Sequence, residues 1–145
     1  MLNRFYVDNI INTALAEDIN YIDVTTDNLL QDGDVSEAYF VAKDSGILCG
    51  IDVAARVFDL AGGNVEKEIL LKDGAPIKKG DYIAFFRGSA KTLLKGERTA
   101  LNLIQHMSGI ATAANECVKL VEGTNASIAD TRKTLPGLRA LQKYS

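Results

Sequence analysis

The sequence is poor in the residues that build disulfide or metal sites. It has two cysteines, Cys49 and Cys117, which lie far apart and outside any metal-ligand spacing. We therefore interpret them as reduced thiols and expect a cytoplasmic protein. His106 is the single histidine, and because no carboxylate or serine pattern accompanies it, we interpret it as structural. The sequence thus predicts neither a disulfide framework nor a metal site.

A long apolar run and an excess of basic charge are also missing. The first residues mix charged and apolar side chains, so we expect neither a signal peptide nor a membrane-spanning helix. The 16 basic and 19 acidic residues give a net charge of −3. That balance gives no indication of nucleic-acid binding, so an anion site would have to be local.

The remaining composition is that of a globular domain with a substantial core. The chain has 145 residues, of which 47% are hydrophobic and 24% charged, as expected for one soluble domain. Helical spacing predicts a first helix over residues 3–17. Its predicted apolar face consists of Leu2, Phe5, Tyr6, Ile10, Ala14 and Leu15. Residues 18–27 predict an ordered polar loop. We expect Asp23, Thr25 and Thr26 in caps and side-chain turns; the alternative is a small polar site.

Residues 36–88 predict a compact unit of short strands and one helix. Strands at 36–43 and 47–49 flank an Asp-Ser-Gly turn and are expected to form a hairpin. The other predicted elements are a helix ending at 62–64 and strands at 65–71 and 82–86. Residues 75–83 resemble the turn-and-strand element of biotinyl and lipoyl carrier domains. The lysine that those domains modify is not recognisable in this unit, so the resemblance concerns shape.

From residue 89 onwards the apolar spacing becomes helical. We expect two helices with a break at Ser108-Gly109, where Ser108 would cap the second helix. Arg98 falls near the expected start of the first helix, where a cation opposes the helix dipole. Such a cation indicates a binding role; the alternative is an exposed arginine lying along the helix.

Polar groups then follow an apolar run near the end of the chain. Residues 126–129 predict a buried strand, and residues 130–134 read Asp-Thr-Arg-Lys-Thr. Pro136 and Gly137 predict a turn, after which Leu138, Leu141 and Tyr144 restart a helical period. Because ligands bind at the carboxyl ends of parallel strands, this stretch is a candidate site; the alternative is a solvated basic turn.

Two long segments carry a family resemblance. Residues 96–112 and 130–144 resemble quinolinate phosphoribosyltransferases, and residues 1–95 resemble that family's N-terminal domain more weakly. The resemblance implies an α+β fold. An N-terminal α/β sandwich domain with a linker helix would occupy residues 1–107, and the start of a truncated (β/α) barrel would occupy residues 108–145. Since a complete barrel needs roughly 250 residues, we expect an N-terminal fragment.

The resemblance also implies a reaction. The family transfers a phosphoribosyl group from phosphoribosyl pyrophosphate, accompanied by Mg²⁺, to quinolinate. The products are nicotinate mononucleotide for NAD synthesis, CO₂ and pyrophosphate. By the match, Thr131, Arg132 and Lys133 are substrate-binding residues, and Lys133 is also a candidate catalytic residue. Arg98 corresponds to an arginine that reaches the neighbouring site of a homodimer.

Three alternatives remain open from the sequence. A paralogous group associated with molybdenum transport shares these motifs. The carrier-like unit at 36–88 would fit a non-catalytic binding module. A fragment of this length could also serve as a purely structural or dimerising unit.

Overall fold

The computed structural model describes residues 2–19 and 30–145. Most of the predicted loop at 18–27, including Asp23, Thr25 and Thr26, lies outside the described residues. In chain order the elements are α1 (Arg4–Asp18), β1 (Val35–Val41), β2 (Gly46–Ile47), α2 (Ile51–Ala61), β3 (Val65–Ile69), β4 (Pro76–Ile77), β5 (Tyr82–Ser89), α3 (Ala90–Val121) and α4 (Arg139–Tyr144). The mixed α+β class expected from the sequence is confirmed.

The main sheet packs one face against the helices. Strand β5 lies in its centre and pairs antiparallel with β1 and β3. Alternation places Phe40 of β1 and Phe86 of β5 on the inner face, where both contact Phe58 of α2. The ring centroid of Phe86 lies 4.8 Å from that of Phe40 and 4.7 Å from that of Phe58. This aromatic cluster forms the centre of the core.

The predicted hairpin between the first two strands is wrong. Strand β1 pairs with β5 over its whole length, from Val35 opposite Ser89 to Val41 opposite Tyr82. Strand β2 has only two residues and pairs with β4 in a separate small sheet. The long partner offers β1 a full ladder of hydrogen bonds, which a two-residue strand cannot provide.

The helices also differ from the prediction in their details. Helix α3 runs unbroken through Ser108 and Gly109 for 32 residues, so the predicted break is wrong. Gly109 is tolerated because the neighbouring turns are packed into the core, with Met107 fully buried. Ser108 instead bonds the backbone of Cys49, accepting from its N–H at 3.0 Å and donating to its carbonyl at 3.2 Å.

Helix α1 forms where it was expected but turns a different face to the core. Its buried residues are Val7, Ile11 and Leu15, whereas Phe5, placed in the predicted face, is 81% exposed. Leu15 is the member of the predicted set that the core buries. Tyr6 is partly exposed, and its hydroxyl bonds the carbonyl of Gly137 near the other end of the chain.

The predicted buried strand at 126–129 is wrong as well. Residues 122–133 are all exposed and have neither helical nor strand structure. A strand needs a neighbour for its backbone groups, and in the described part of the chain none pairs with this stretch. The helix predicted around Leu141 does form, with Leu141 fully buried. No helix among the described residues has the length and apolar character needed to cross a membrane.

Candidate anion-binding site

Thr131, Arg132 and Lys133 lie together on an exposed turn. The hydroxyl of Thr131 accepts a hydrogen bond from the backbone N–H of Lys133 at 3.2 Å, which fixes the local bend. Among the described residues, no hydrogen bond or ion pair engages the side chain of Arg132 or Lys133. Two adjacent cations are therefore available to an anionic ligand.

The turn after these residues forms as predicted. The backbone N–H of Leu138 donates to the carbonyl of Leu135 at 3.1 Å. Gly137, at the third position of this turn, has a φ of 80°. Proline at the second position and a left-handed glycine at the third are the requirements of a type II turn. The chain direction between Arg132 and α4 is thus set by local chemistry.

Side chains of α1 and α4 hold this turn in place. The hydroxyl of Tyr6 in α1 donates to the carbonyl of Gly137 at 2.8 Å. The side-chain oxygen of Gln142 accepts from the backbone N–H of Leu135 at 2.8 Å, and its nitrogen lies 3.0 Å from Nε2 of His106 in α3. The segment that carries Arg132 is therefore attached to two helices of the N-terminal part.

Helix α4 is anchored at its far end through Asp73. The hydroxyl of Tyr144 donates to Oδ2 of Asp73 at 3.0 Å, while Oδ1 accepts the backbone N–H of Ile51 at 3.0 Å. Asp73 thus satisfies a donor at the start of α2 as well. Burial, followed by the hydrogen bond to Asp73, raises the pKa of Tyr144 to about 12. Burial also raises the pKa of the neighbouring Cys49 thiol.

Other charges in the segment are already engaged. Lys143 lies 3.0 Å from Oδ2 of Asp130, and Nε of Arg139 donates to the hydroxyl of Thr134 at 3.2 Å. Both members of the Lys143–Asp130 pair are exposed, so the pair contributes little stability. It does neutralise Asp130, the carboxylate nearest to Arg132 and Lys133 in sequence, which favours an anionic ligand there.

Arg98 lies elsewhere on the molecule. It is in the third turn of α3 rather than near the helix start, because the helix begins at Ala90 and is capped by Ser89; the prediction of a cation at the amino end is therefore wrong. Its Nη1 lies 2.5 Å from Oδ1 of Asp18, and its side chain is 73% exposed. Residues 131–133 do not line the cavity that Arg98 shares with its helix neighbours. Within one chain, the structure thus groups Thr131, Arg132 and Lys133 on one bend and pairs Arg98 with Asp18 instead.

A larger cavity of about 550 Å³ lies between the β1–β2 region and α3. Its lining is mainly apolar, and none of the predicted site residues contributes to it. The hydroxyls of Ser108 and Thr112, which face it, already bond the backbones of Cys49 and Ile47. We therefore place the candidate site at residues 131–133 and not in this cavity.

Sequence reasoning missed the residues that hold the segment in place. Tyr6, Asp73, His106 and Gln142 were not recognised as partners of the site. Tyr6 is separated from its partner by 131 positions, and Tyr144 by 71. No local pattern carries such a signal, and only the fold brings these groups together.

Comparison with known proteins identifies relatives of the whole chain. The family model of the quinolinate phosphoribosyl transferase N-terminal domain matches residues 23–108, and that of the C-terminal domain matches residues 110–145. Nicotinate-nucleotide pyrophosphorylase (carboxylating) of Mycobacterium leprae is 45% identical over 93% of this chain and 49% of the relative. A probable nicotinate-nucleotide pyrophosphorylase (carboxylating) of Bacillus subtilis is 41% identical over 99% of this chain and 50% of its own length.

Comparison with solved structures agrees with the sequence comparison. The crystal structure of NadC from Streptococcus pyogenes matches with a TM-score of 0.93 and 35% identity, covering 99% of this chain and 52% of that one. The chain spans about half the length of the relatives that it matches. Since the two domain models together account for residues 23–108 and 110–145, the chain belongs to the quinolinate phosphoribosyl transferase family.

Proposed function

We propose that this chain supplies the N-terminal domain and a substrate-binding segment of a carboxylating nicotinate-nucleotide pyrophosphorylase. The reaction transfers the phosphoribosyl group of phosphoribosyl pyrophosphate to quinolinate and releases CO₂ and pyrophosphate. The observation that supports this function is the position of Arg132 and Lys133, side by side on an exposed bend, with no side-chain partner among the described residues. The turn that follows them is held by Tyr6 and Gln142. The printed names of the M. leprae and B. subtilis relatives support the same reaction.

The proposed chemistry needs positive charge more than a nucleophile. Quinolinate is a dianion, so Arg132 is suited to fork onto one carboxylate while Lys133 adds a point charge towards the phosphorylated substrate. The ring nitrogen forms a bond to the ribose carbon as the bond to pyrophosphate breaks. The alkylated ring then accepts the electron pair that the departing carboxylate leaves behind, and a proton replaces CO₂. Thr131 contributes a hydroxyl beside the same carboxylate.

We assign no residue of this part of the chain to Mg²⁺. Among residues 2–19 and 30–145, no group of three or more histidine, cysteine or acidic side chains is placed to hold a metal ion. Asp130, the carboxylate nearest the proposed site in sequence, is paired with Lys143. We propose that Mg²⁺ arrives with phosphoribosyl pyrophosphate, whose oxygens it prefers.

Arg98 is proposed to act in a homodimer. Its side chain is exposed and lies on α3 beside Asp18, away from the bend of residues 131–133 in the chain, which fits a role in the site of a second subunit. We further propose that the enzyme works in the cytoplasm, because Cys49 and Cys117 are both free thiols, which suit a reducing compartment.

A chimaera tests the proposed function. It consists of residues 1–145 of this chain followed by the half of the B. subtilis relative that the chain does not match. Purified chimaera should form nicotinate mononucleotide from quinolinate and phosphoribosyl pyrophosphate, whereas the 145-residue chain alone should form none. A folded chimaera that makes no product would refute the proposal and favour the molybdenum-associated or non-catalytic alternatives.

A further inference from the structure

Gln142 connects the candidate anion-binding segment to the long helix α3. Its side-chain oxygen accepts the backbone N–H of Leu135 at 2.8 Å, and its side-chain nitrogen lies 3.0 Å from Nε2 of His106. Both Gln142 and His106 are half-buried. One glutamine therefore joins the turn that follows Arg132 and Lys133 to the only histidine of the chain.

The backbone fixes the direction of both hydrogen bonds. The N–H of Leu135 can only donate, so the amide atom facing it is the oxygen of Gln142, and the NH₂ group faces His106. Nε2 of His106 must then accept, which places the imidazole proton on Nδ1. The two hydrogen bonds thus connect Leu135, Gln142 and His106 in series, and an apolar side chain at position 106 or 142 removes at least one of them.

The other restraints on the segment act at different points. Tyr6 holds the carbonyl of Gly137, on the far side of the turn from Leu135. The pair of Lys143 and Asp130 is exposed on both sides, with relative side-chain areas of 40% and 55%, and such pairs restrain little. The bond from Leu135 to Gln142 is therefore the restraint nearest to Arg132 and Lys133 along the chain that leads on to α3, through the half-buried His106.

We infer that Gln142 and His106 are positioning residues for Arg132 and Lys133. They fix the turn that follows the two cations, and they act through Leu135 rather than by touching substrate. This inference rests on the proposed function, since it assumes that the cations bind quinolinate. A held segment binds a rigid dianion without first having to be ordered, so a loosened segment should bind it more weakly.

Backbone hydrogen exchange of the 145-residue chain tests the physical link. Exchange at Leu135 should rise about tenfold in Gln142→Leu and about threefold in His106→Ala, the effect of losing or weakening one hydrogen bond. His106→Gln offers an amide oxygen in place of Nε2 and should restore the wild-type rate. The N–H of Ile47, bonded to the hydroxyl of Thr112 at 2.9 Å, serves as an internal control.

Two results would overturn the link. One is a wild-type exchange rate at Leu135 in both Gln142→Leu and His106→Ala. The other is a ¹⁵N spectrum of the imidazole showing the proton on Nε2 instead of Nδ1. If His106→Ala does not fold, His106→Gln decides: a wild-type rate supports the link, and a rate as fast as that of Gln142→Leu contradicts it.

Kinetics of the chimaera test the consequence for binding. His106→Ala should raise KM for quinolinate about three- to tenfold with kcat changed less than about twofold, and His106→Gln should reverse the effect. If no chimaera makes product, the proposed function fails while the exchange result stands. If the chimaera is active and exchange at Leu135 is fast but KM is unchanged, the positioning role is wrong.

Discussion

Tyr144 and Asp73 are 71 positions apart in sequence, yet the tyrosine hydroxyl donates to the carboxylate at 3.0 Å. The same carboxylate accepts the backbone N–H of Ile51 at the start of α2. Asp73 therefore fastens the end of the chain to the sandwich. With the bonds of Tyr6 and Gln142, this contact keeps α4 and the turn before it against the N-terminal part.

Replacing Tyr144 with phenylalanine should loosen α4 without unfolding the sandwich. The lost hydrogen bond is worth about 1 kcal/mol, so exchange of the Gln142 and Ser145 amides should rise about fivefold. Burial and Asp73 raise the pKa of Tyr144 to about 12. Its contribution is thus complete below the unfolded value of about 10 and is lost as pH rises towards 12. This pH-dependent loss of protection, measured relative to the intrinsic exchange rate, should be absent in Tyr144→Phe.

Tyr82→Phe is the matched control, because it removes a tyrosine hydroxyl that is exposed on the sheet. Its α4 amides should exchange at the wild-type rate at every pH. An equal increase in both variants would mean that the contact of Tyr144 with Asp73 does not anchor the helix.

Acid should weaken the attachment of α1 to α2. Arg56 donates to both carboxylate oxygens of Asp8, at 2.9 and 2.8 Å, and this hydrogen bonding lowers the pKa of Asp8. A lowered pKa stabilises the fold above the unfolded value of 3.8 and loses its effect as pH falls through the folded value. Asp8→Asn should therefore lower Tm at pH 7, and the difference from wild type should shrink below about pH 4.

Thermal melts between pH 7 and pH 2 measure this difference. Asp44→Asn is the control, since Asp44 is exposed and has no ion pair among the described residues. Its Tm should stay close to that of the wild type throughout. A constant difference between Asp8→Asn and wild type across the range would show that the ion pair with Arg56 is not the cause.

The parts of the fold that depend on neighbouring residues could be predicted from sequence. Helix α2 ends at Ala61 with Gly62 as its cap, and Pro136 and Gly137 form the expected turn, because both outcomes follow from backbone preferences. Strand pairing could not be predicted. Strand β1 pairs with β5 and not with β2 because β5 offers more backbone hydrogen bonds, and this comparison needs the arrangement of all the strands. The burial assigned to residues 126–129 failed for a similar reason, as an apolar run forms a strand only beside a partner.

The candidate site shows the same division. Residue types pointed to Arg132 and Lys133, and the structure places both on one exposed turn. The sequence did not show that Asp130 is paired with Lys143, or that Gln142 holds the turn. Arg98 was selected because it was expected near a helix start, which is not where it lies. Its proposed role now rests on its exposure and on the resemblance to the family.

Mixed dimers test the proposed role of Arg98. Chimaeras carrying Arg98→Ala or Arg132→Ala should each be nearly inactive. If each site borrows Arg98 from its partner, a mixed dimer contains one complete site and one site with both lesions. Random pairing makes about half of the dimers mixed, so about a quarter of all sites should recover activity after the two are refolded together.

The controls for this experiment are built into the mixture. Each variant refolded alone should stay at its own low activity, and differently tagged chains should confirm that subunits exchange. Subunit exchange without recovered activity would contradict the shared site. It would mean that Arg98 acts in the site of its own chain.

Binding of quinolinate to Arg132 variants of the chimaera tests the central claim most directly. Arg132→Lys keeps the charge but loses the forked geometry, so isothermal titration should show a loss of about 2–3 kcal/mol, roughly a 30- to 150-fold weaker Kd. Arg139→Lys, in the same segment but bonded to Thr134, should change Kd much less. The claim that Arg132 binds a quinolinate carboxylate would be contradicted by an Arg132→Lys chimaera that binds quinolinate with the wild-type Kd.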